Sequence, residues 1–289
     1  MKPQLECLQC SIRQALEAAE LAGADLELKK EIAVETLKLL LEYDSYGSPA
    51  ELSGGVHALA RRLTGNTDPY KKLKEATIRI AREVYPAVAR GIKGQEDRML
   101  YALEVSAVGN VIDAGVYGDL RDVDLEAILQ EELTKGFAVC DIDAMRHDLS
   151  DARSVVIVGD NAGETVFDRL MISEIKNMVG DGVKVFYGVR NIPTINDATV
   201  EDAVASGLDQ EAAVMSTGCD EPGLVLEKAD PDFVELYMEA DVVISKGQGN
   251  YEALSNYRGR AVYFLLKAKC EPVARDLGVE VGDYVFIRK

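Results

Sequence analysis

The stretch Ser154-Val155-Val156-Ile157-Val158-Gly159-Asp160-Asn161-Ala162-Gly163-Glu164 begins as an apolar run rich in β-branched residues, the composition of a strand buried on both faces of a sheet. It closes with Gly-Asp-Asn-Ala-Gly-Glu and runs into residues 165–171, where apolar positions recur at helical spacing. Strand, tight turn and helix in that order place Asp160 and Asn161 at the carboxyl end of a strand. In open α/β sheets ligands collect there, and two adjacent oxygen-bearing side chains suit a hard cation, a phosphate or both.

The same alternation continues to the C-terminus. Apolar runs at 154–158, 183–187, 212–216, 242–245, 261–266 and 284–287 alternate with helical stretches near 164–178, 199–207, 231–239, 249–257 and 271–277. This pattern predicts a Rossmann-like, doubly wound, mostly parallel sheet, with the last strand antiparallel at an edge. The first half reads differently. Residues 7–21, 26–43, 49–63, 70–89, 96–108 and 125–133 carry apolar positions at helical spacing, separated by turn residues. The expected fold class is therefore α/β, with an all-helical region over residues 1–150, a cap in preference to a separate bundle, and a Rossmann-like α/β domain over residues 151–289.

The chain has 289 residues, 47% hydrophobic and 28% charged, with a formal net charge of −18. Such a composition has ample apolar material for a globular core. A surface this acidic repels nucleic acid and anionic membrane, whose binding rests on Lys and Arg neutralising phosphates, so a small molecule is the expected partner. No run approaches the roughly 20 apolar residues of a membrane span, and the N-terminus lacks the apolar core of a signal peptide. Five scattered cysteines do not form a secreted disulfide framework, and a cytoplasmic location is expected.

Three strand ends carry polar groups. Alone, Asp160 and Asn161 read equally well as a helix N-cap and a turn residue. The loop after the 183–187 strand adds Asn196 and Asp197, and the turn Ser245-Lys246-Gly247-Gln248-Gly249-Asn250-Tyr251-Glu252 adds a lysine at a glycine-containing helix start. In a parallel sheet these loops share one edge. Two carboxylates and an amide oxygen suit an octahedral ion such as Mg²⁺ or Mn²⁺, and a lysine beside helix N-terminal N–H groups suits a phosphate. Together they are the parts of a metal-assisted phosphoryl-transfer site.

In order and setting, Gly159-Asp160-Asn161-Ala162-Gly163-Glu164, Ile195-Asn196-Asp197-Ala198-Thr199 and Lys246-Gly247-Gln248-Gly249-Asn250-Tyr251-Glu252 resemble the damage-control phosphatases, the metal-dependent family long filed as domain of unknown function 89. Cys7-Leu8-Gln9-Cys10 and Gly109-Asn110-Val111-Ile112-Asp113 resemble features of its prokaryotic and archaeal branch, so the resemblance spans essentially the whole chain. It implies a divalent-metal phosphohydrolase acting on phosphate monoesters of small metabolites, such as sugar phosphates or phosphopantetheine- and nucleotide-like compounds, in metabolite damage control. Carried over by motif, Asp160, Asn161 and Asp197 would hold the metal, one of Mg, Mn, Co or Ni, among which oxygen ligands discriminate poorly. Lys246, with Gly247 and Asn250 of its turn, would hold the substrate phosphate, and Asn110 and Asp113 would approach from the helical side. Asp160, Asp197, Lys246 and Asp113 would carry catalysis, with Asn110 and Glu164 at the substrate. Gln248 stands where many relatives have an acidic residue, which leaves Asp197, Glu164 or Asp113 to move the proton.

Cys7 and Cys10 lie one helical turn apart and fit half of a zinc site, a redox pair or two buried small hydrophobes; a structural role is expected. Phe137-Ala138-Val139-Cys140-Asp141-Ile142-Asp143 resembles the first motif of haloacid-dehalogenase-type phosphatases but lacks the usual following Thr, and reads instead as a loop before a helix through His147. Two histidines, His57 and His147, both in helical patterns, argue against a His-based triad. The rival functions are an S-adenosylmethionine-dependent methyltransferase, which wants a G-x-G-x-x-G first turn that residues 159–163 do not provide, and a non-catalytic metal- or metabolite-binding protein.

Overall fold

Period-two alternation in β2 (Ser154–Val158) sends Val155 and Ile157 to one face and Val156 and Val158 to the other, and all four are fully buried. A strand apolar on both faces needs a layer on each side, and the rest of the chain supplies them. The computed structural model describes residues 1–109, 125–180 and 182–289, without the side chains of residues 125 and 126.

The first half contributes α1 (Leu5–Leu21), α2 (Leu26–Leu40), α3 (Pro49–Thr64), α4 (Lys71–Gly91), α5 (Arg98–Val108) and α6 (Leu125–Leu133). Asp25, Ser48 and Asp97 cap α2, α3 and α5 by accepting a backbone N–H with the side chain. Then follow β1 (Phe137–Cys140), α7 (Ile142–Leu149), β2, α8 (Thr165–Val179), β3 (Lys184–Val189), α9 (Val200–Ser206), β4 (Ala213–Ser216), α10 (Pro231–Glu239), β5 (Val242–Lys246), α11 (Gln248–Leu254), β6 (Tyr263–Lys267), α12 (Glu271–Leu277) and β7 (Tyr284–Arg288).

The strands form one sheet in the order β1-β7-β6-β5-β2-β3-β4. From β6 to β4 every pairing is parallel, while β7 runs antiparallel to β6 and parallel to β1. The last strand is thus antiparallel, as its position suggested, but it is not at the edge. The edge beside it is β1, the Phe137 run that reads in sequence as a loop. That strand has four residues, of which only Phe137 and Val139 are even partly buried, too little apolar signal to stand apart from a loop. The α/β layer therefore reaches back to residue 137, ahead of the expected boundary at 150.

On one face, α4, α5, α7 and α8 share a buried cluster with Val155, Ile157, Val185, Tyr187, Ile244 and Leu265. On the other, α10, α11 and α12 cover Val156, Val158, Val243, Phe264 and Val285. Helices α1 to α3 pack together through Ala15, Ala19, Ile32 and Val56. No helix among the described residues is long and apolar enough to cross a membrane.

Successive strands step outward from β2 through β3 to β4 on one side, and from β5 to β6 on the other. The direction of winding switches between β2 and β5, and the crevice beyond their carboxyl ends is the expected ligand position.

Candidate active site

The turn after β2 and the loop after β3 are tied together at that crevice. An isolated antiparallel bridge pairs Asn161 with Asp197, Ala162 N–H donates to the Asn196 carbonyl at 2.8 Å, and Ala198 N–H donates to the Asp160 carbonyl at 2.8 Å. Asp160 and Asn161, neighbours in the chain, and the distant Asp197 are buried together as a result. Just before them Ile195 has φ 49°, a left-handed conformation that costs a β-branched residue about 1–3 kcal/mol and turns the chain so that Asn196 and Asp197 face the β2 turn. The third turn supplies room. Gly247 has φ +80°, and a Cβ there would land on the Asp160 carboxylate.

The electrostatics of the crevice are dominated by buried carboxylates. Burial, followed by the neighbouring Asp197 and Glu164 carboxylates, holds the Asp160 carboxyl well above the ordinary range, against the pull of Lys269 and Arg190. Burial also raises Asp197, although Arg190 Nε donates to its Oδ2 at 2.6 Å. Four buried carboxylates, Asp160, Glu164, Asp168 and Asp197, face two buried cations, Arg190 and Lys246. A divalent ion matches the excess of two negative charges. Asn161 Nδ2 donates to Glu164 Oε1 at 2.7 Å, which fixes the amide and leaves its carbonyl oxygen for an ion. Among the described residues no three His, Cys, Asp or Glu side chains form a ready-made metal cluster; the donor set is two carboxylates and an amide, the oxygen chemistry that hard divalent ions take.

Lys246 departs from its expected place. Alternation along β5 puts it on the same face as Val242 and Ile244, beneath α5 and α8, instead of up into the crevice. Its ammonium donates to Asp168 Oδ1 at 2.6 Å, Glu164 Oε2 at 2.9 Å and the Ser106 carbonyl at 2.9 Å. All three N–H donors are spent on protein. Burial opposes the charge, but Asp168 and Glu164 outweigh it and raise the pKa. Ser106 and Tyr187 hydroxyls complete the shell of Asp168. The rest of that turn is equally committed. Gly247 N–H donates to the Leu265 carbonyl at 2.9 Å. Asn250 donates to the Gly159 and Lys246 carbonyls and accepts from Leu224 N–H and Arg190 Nη2, so all four of its bonds build scaffold. Asn110 and Asp113 lie outside the described residues.

Two cations that the motifs did not single out belong to the site. Arg190, fully buried at the end of β3, grips Asp197 and Asn250 and lies 3.9 Å from Asp160 Oδ1; one of its donors, Nη1, has no protein partner among the described residues. Its signal in sequence was a single charge at the end of an otherwise apolar strand. Lys269, just past β6, is exposed on the rim of a cavity of about 430 Å³ that Asp160, Asn161, Asn196 and Asp197 also line. Residues of the helical half, among them Ser11, Ser53 and Tyr70, wall the same cavity. A larger groove of about 760 Å³ lies along α4 and α9, but its buried lysine, Lys74, is already neutralised by Asp68 and Asp202 at 3.0 and 2.8 Å.

An open α/β sheet with a carboxylate-lined crevice at its switch point defines a Rossmann-like protein. Residues 4–285 match the damage-control phosphatase ARMT1-like domain, and the chain belongs to that family. It is similar to a damage-control phosphatase of Pyrococcus horikoshii, 33% identical over all of this chain and 98% of the relative. A damage-control phosphatase of Archaeoglobus fulgidus is 35% identical over 99% of this chain and 98% of its own length. The crystal structure of a DUF89 family protein from Pyrococcus horikoshii has the same fold, with a TM-score of 0.90 at 33% identity, covering 100% of this chain and 99% of that one.

Proposed function

We propose that this chain is a divalent-metal-dependent phosphatase acting on phosphate monoesters of small metabolites, with Asp160, Asn161 and Asp197 as the residues that hold the ion. The observation that carries this reading is the excess of buried carboxylate over buried cation at the β2–β5 crevice, beside a cavity open to a small anion. A cavity of about 430 Å³ is within the usual range for metabolite-sized ligands. When bound, the ion supplies Lewis acidity and positive charge at the transferring phosphoryl group. The chain's own residues do the positioning. Glu164 orients Asn161, Arg190 orients Asp197, and Lys246 pairs with Glu164 and Asp168 from below. Lys269 takes the role first expected of Lys246. Its charge opposes the upward shift of the Asp160 and Asp197 carboxyls, and among the described residues it carries none of the ion pairs that tie down Lys246, which leaves its ammonium to the substrate phosphate. Such preorganised charge is often the largest contribution to phosphoryl transfer. The resemblance assigns Asn110 and Asp113 an approach from the helical side, and both lie outside the described residues.

The test is a hydrolysis screen crossing Mg²⁺, Mn²⁺, Co²⁺ and Ni²⁺ with sugar phosphates, phosphopantetheine derivatives and nucleotides. Phosphate release that needs a metal and falls to background in Asp160→Ala, with the melting temperature retained, is the expected result. Release that survives in Asp160→Ala overturns the assignment. Metal binding with no hydrolysis across the panel points to a binding protein instead.

A further inference from the structure

The cavity beside Asp160 holds one more carboxyl group. Glu252 of α11 is partly buried and lines that cavity together with Asp160, Asn161, Asp197 and Lys269. Helix α11 sets its distance from Asp160. The Asp160 carboxylate rests against Gly247, just before the helix, where a Cβ would land on it. From Gln248 to Glu252 is one turn of α11, a rise of about 6 Å. Glu252 therefore faces the cavity about one turn beyond Asp160, which leaves room for a phosphoryl group between the two.

The Glu252 carboxyl is held in place without being used up. Gln248 Nε2 donates to Glu252 Oε1 at 2.8 Å, and Gln248 Oε1 accepts the Lys269 backbone N–H at 2.8 Å. Glu252 Oε2 has no hydrogen-bond partner among the described residues. The neighbouring acids are committed. Asn161 and Lys246 donate to the two oxygens of Glu164, and Arg190 grips Asp197.

We propose that Glu252 is the general acid of the hydrolysis, giving the proton on Oε2 to the leaving oxygen of the phosphate ester, with Gln248 as its positioning residue; the proposal rests on the phosphatase reading above. The ester P–O bond breaks as the oxygen of a water bonds to phosphorus. The leaving oxygen takes the Glu252 proton and departs as an alcohol. The proton that the water gives up passes to solvent, from which Glu252 is reprotonated. Gln248, which stands where many relatives have an acid, thus holds an acid one helical turn further on.

The surroundings suit that role. Burial pushes the Glu252 carboxyl up to about 7, against the Gln248 hydrogen bond, the Met1 ammonium and Lys269. The Met1 ammonium is close by, donating to the Glu252 backbone carbonyl at 2.6 Å. The Cys7 thiol of α1 and the Cys270 thiol at the start of α12 also face Glu252; burial raises both, so they stay protonated and add no charge. An acid poised near the working pH is an efficient proton donor.

The experiment compares two esters on the full chain, with the metal that supports most release in the screen above. One is the sugar phosphate turned over fastest, whose alcohol needs a proton to leave; the other is p-nitrophenyl phosphate, whose phenolate leaves without one. Glu252→Gln keeps the shape and an oxygen for Gln248, and an unchanged circular dichroism melt confirms the fold. The expected loss in kcat is roughly 10²- to 10⁴-fold on the sugar phosphate and only a few-fold on the aryl ester. Wild-type kcat on the sugar phosphate should fall as the pH rises through about 7, and Glu252→Gln should lack that limb. Gln248→Leu, which removes the hydrogen bond that favours the charged carboxylate, should move the limb to higher pH. Carbon-13 spectra of the carboxyl-labelled, metal-free chain should show one glutamate titrating near pH 7 that is missing from Glu252→Gln. Equal losses on the two esters, an alkaline limb that persists in Glu252→Gln, or no such titrating glutamate would overturn the proposal. A wild type that hydrolyses neither ester overturns the phosphatase reading and this proposal with it.

Discussion

Lys246 and Lys269 carry the same charge near the same carboxylates, and their surroundings give them different work. Lys246 is the counter-ion of Glu164 and Asp168 in a region with no exposure to solvent. Removing one partner of such a buried set leaves uncompensated charge and costs roughly 3–5 kcal/mol. Lys246→Ala should therefore lower the denaturation midpoint sharply. Lys269→Ala touches no buried pair and should stay within about 0.5 kcal/mol of wild type in stability, while losing a charged contact to the phosphate of about 1.5–3 kcal/mol in kcat/KM, roughly 10- to 100-fold. Paired denaturant melts and steady-state kinetics on the two variants check this. A stable Lys246→Ala with a raised KM would return the phosphate to Lys246.

At the scale of the element, the turns after β2, β3 and β5 work as one unit because backbone conformations that suit few residues bring them into contact. Ile195 accepts a left-handed φ to present Asn196 and Asp197, and the short Asn161–Asp197 bridge holds the result. Gly247 is the most sensitive point, because both its φ of +80° and the space its missing Cβ leaves for Asp160 are needed. Alanine there strains the turn and displaces the Asp160 carboxylate. We expect Gly247→Ala to cost more than the about 1 kcal/mol that the same change can gain at a compatible site and to weaken metal activation. Melting temperature and the metal concentration for half-maximal activity measure the two effects separately. An unchanged metal requirement would show that Asp160 is not seated against this turn.

Over the whole molecule, the helical half is joined to the far side of the sheet by Glu132 of α6. Burial resists its charge, but Lys135, Tyr284 and Lys267 donate to its carboxylate and outweigh that, holding its pKa down at about 2. The folded pKa lies below the ordinary 4.5, so the stabilisation is complete above pH 4.5 and is lost as the pH falls toward about 2. Acid should loosen this junction, and Glu132→Gln should narrow its stability gap to wild type over the same interval. Melts from pH 7 downward test it; a gap independent of pH would remove Glu132 from the account. At the other end of the sheet, α1, α3 and the start of α4 wall the cavity, so they shape what enters it.

The α/β class, the element order and the strand ends that carry Asp160, Asn161 and Asp197 were legible from sequence because they rest on local periodicity, two for a strand and 3.6 for a helix. The four-residue edge strand β1 was not, since so short a run carries almost no periodic signal. Which side of the sheet a strand-end residue occupies depends on register and on what packs above it. Lys246 faces α5 and α8 for that reason, and Asp168 and the Ser106 carbonyl meet it there without any motif to mark them. Arg190 and Lys269 stand in the same relation to Asp197. The turn at Asp160 and Asn161 was written in the sequence as a strand end with two oxygen donors. Only the tertiary structure made it a buried excess of negative charge, because that excess is a sum over residues brought together from distant parts of the chain.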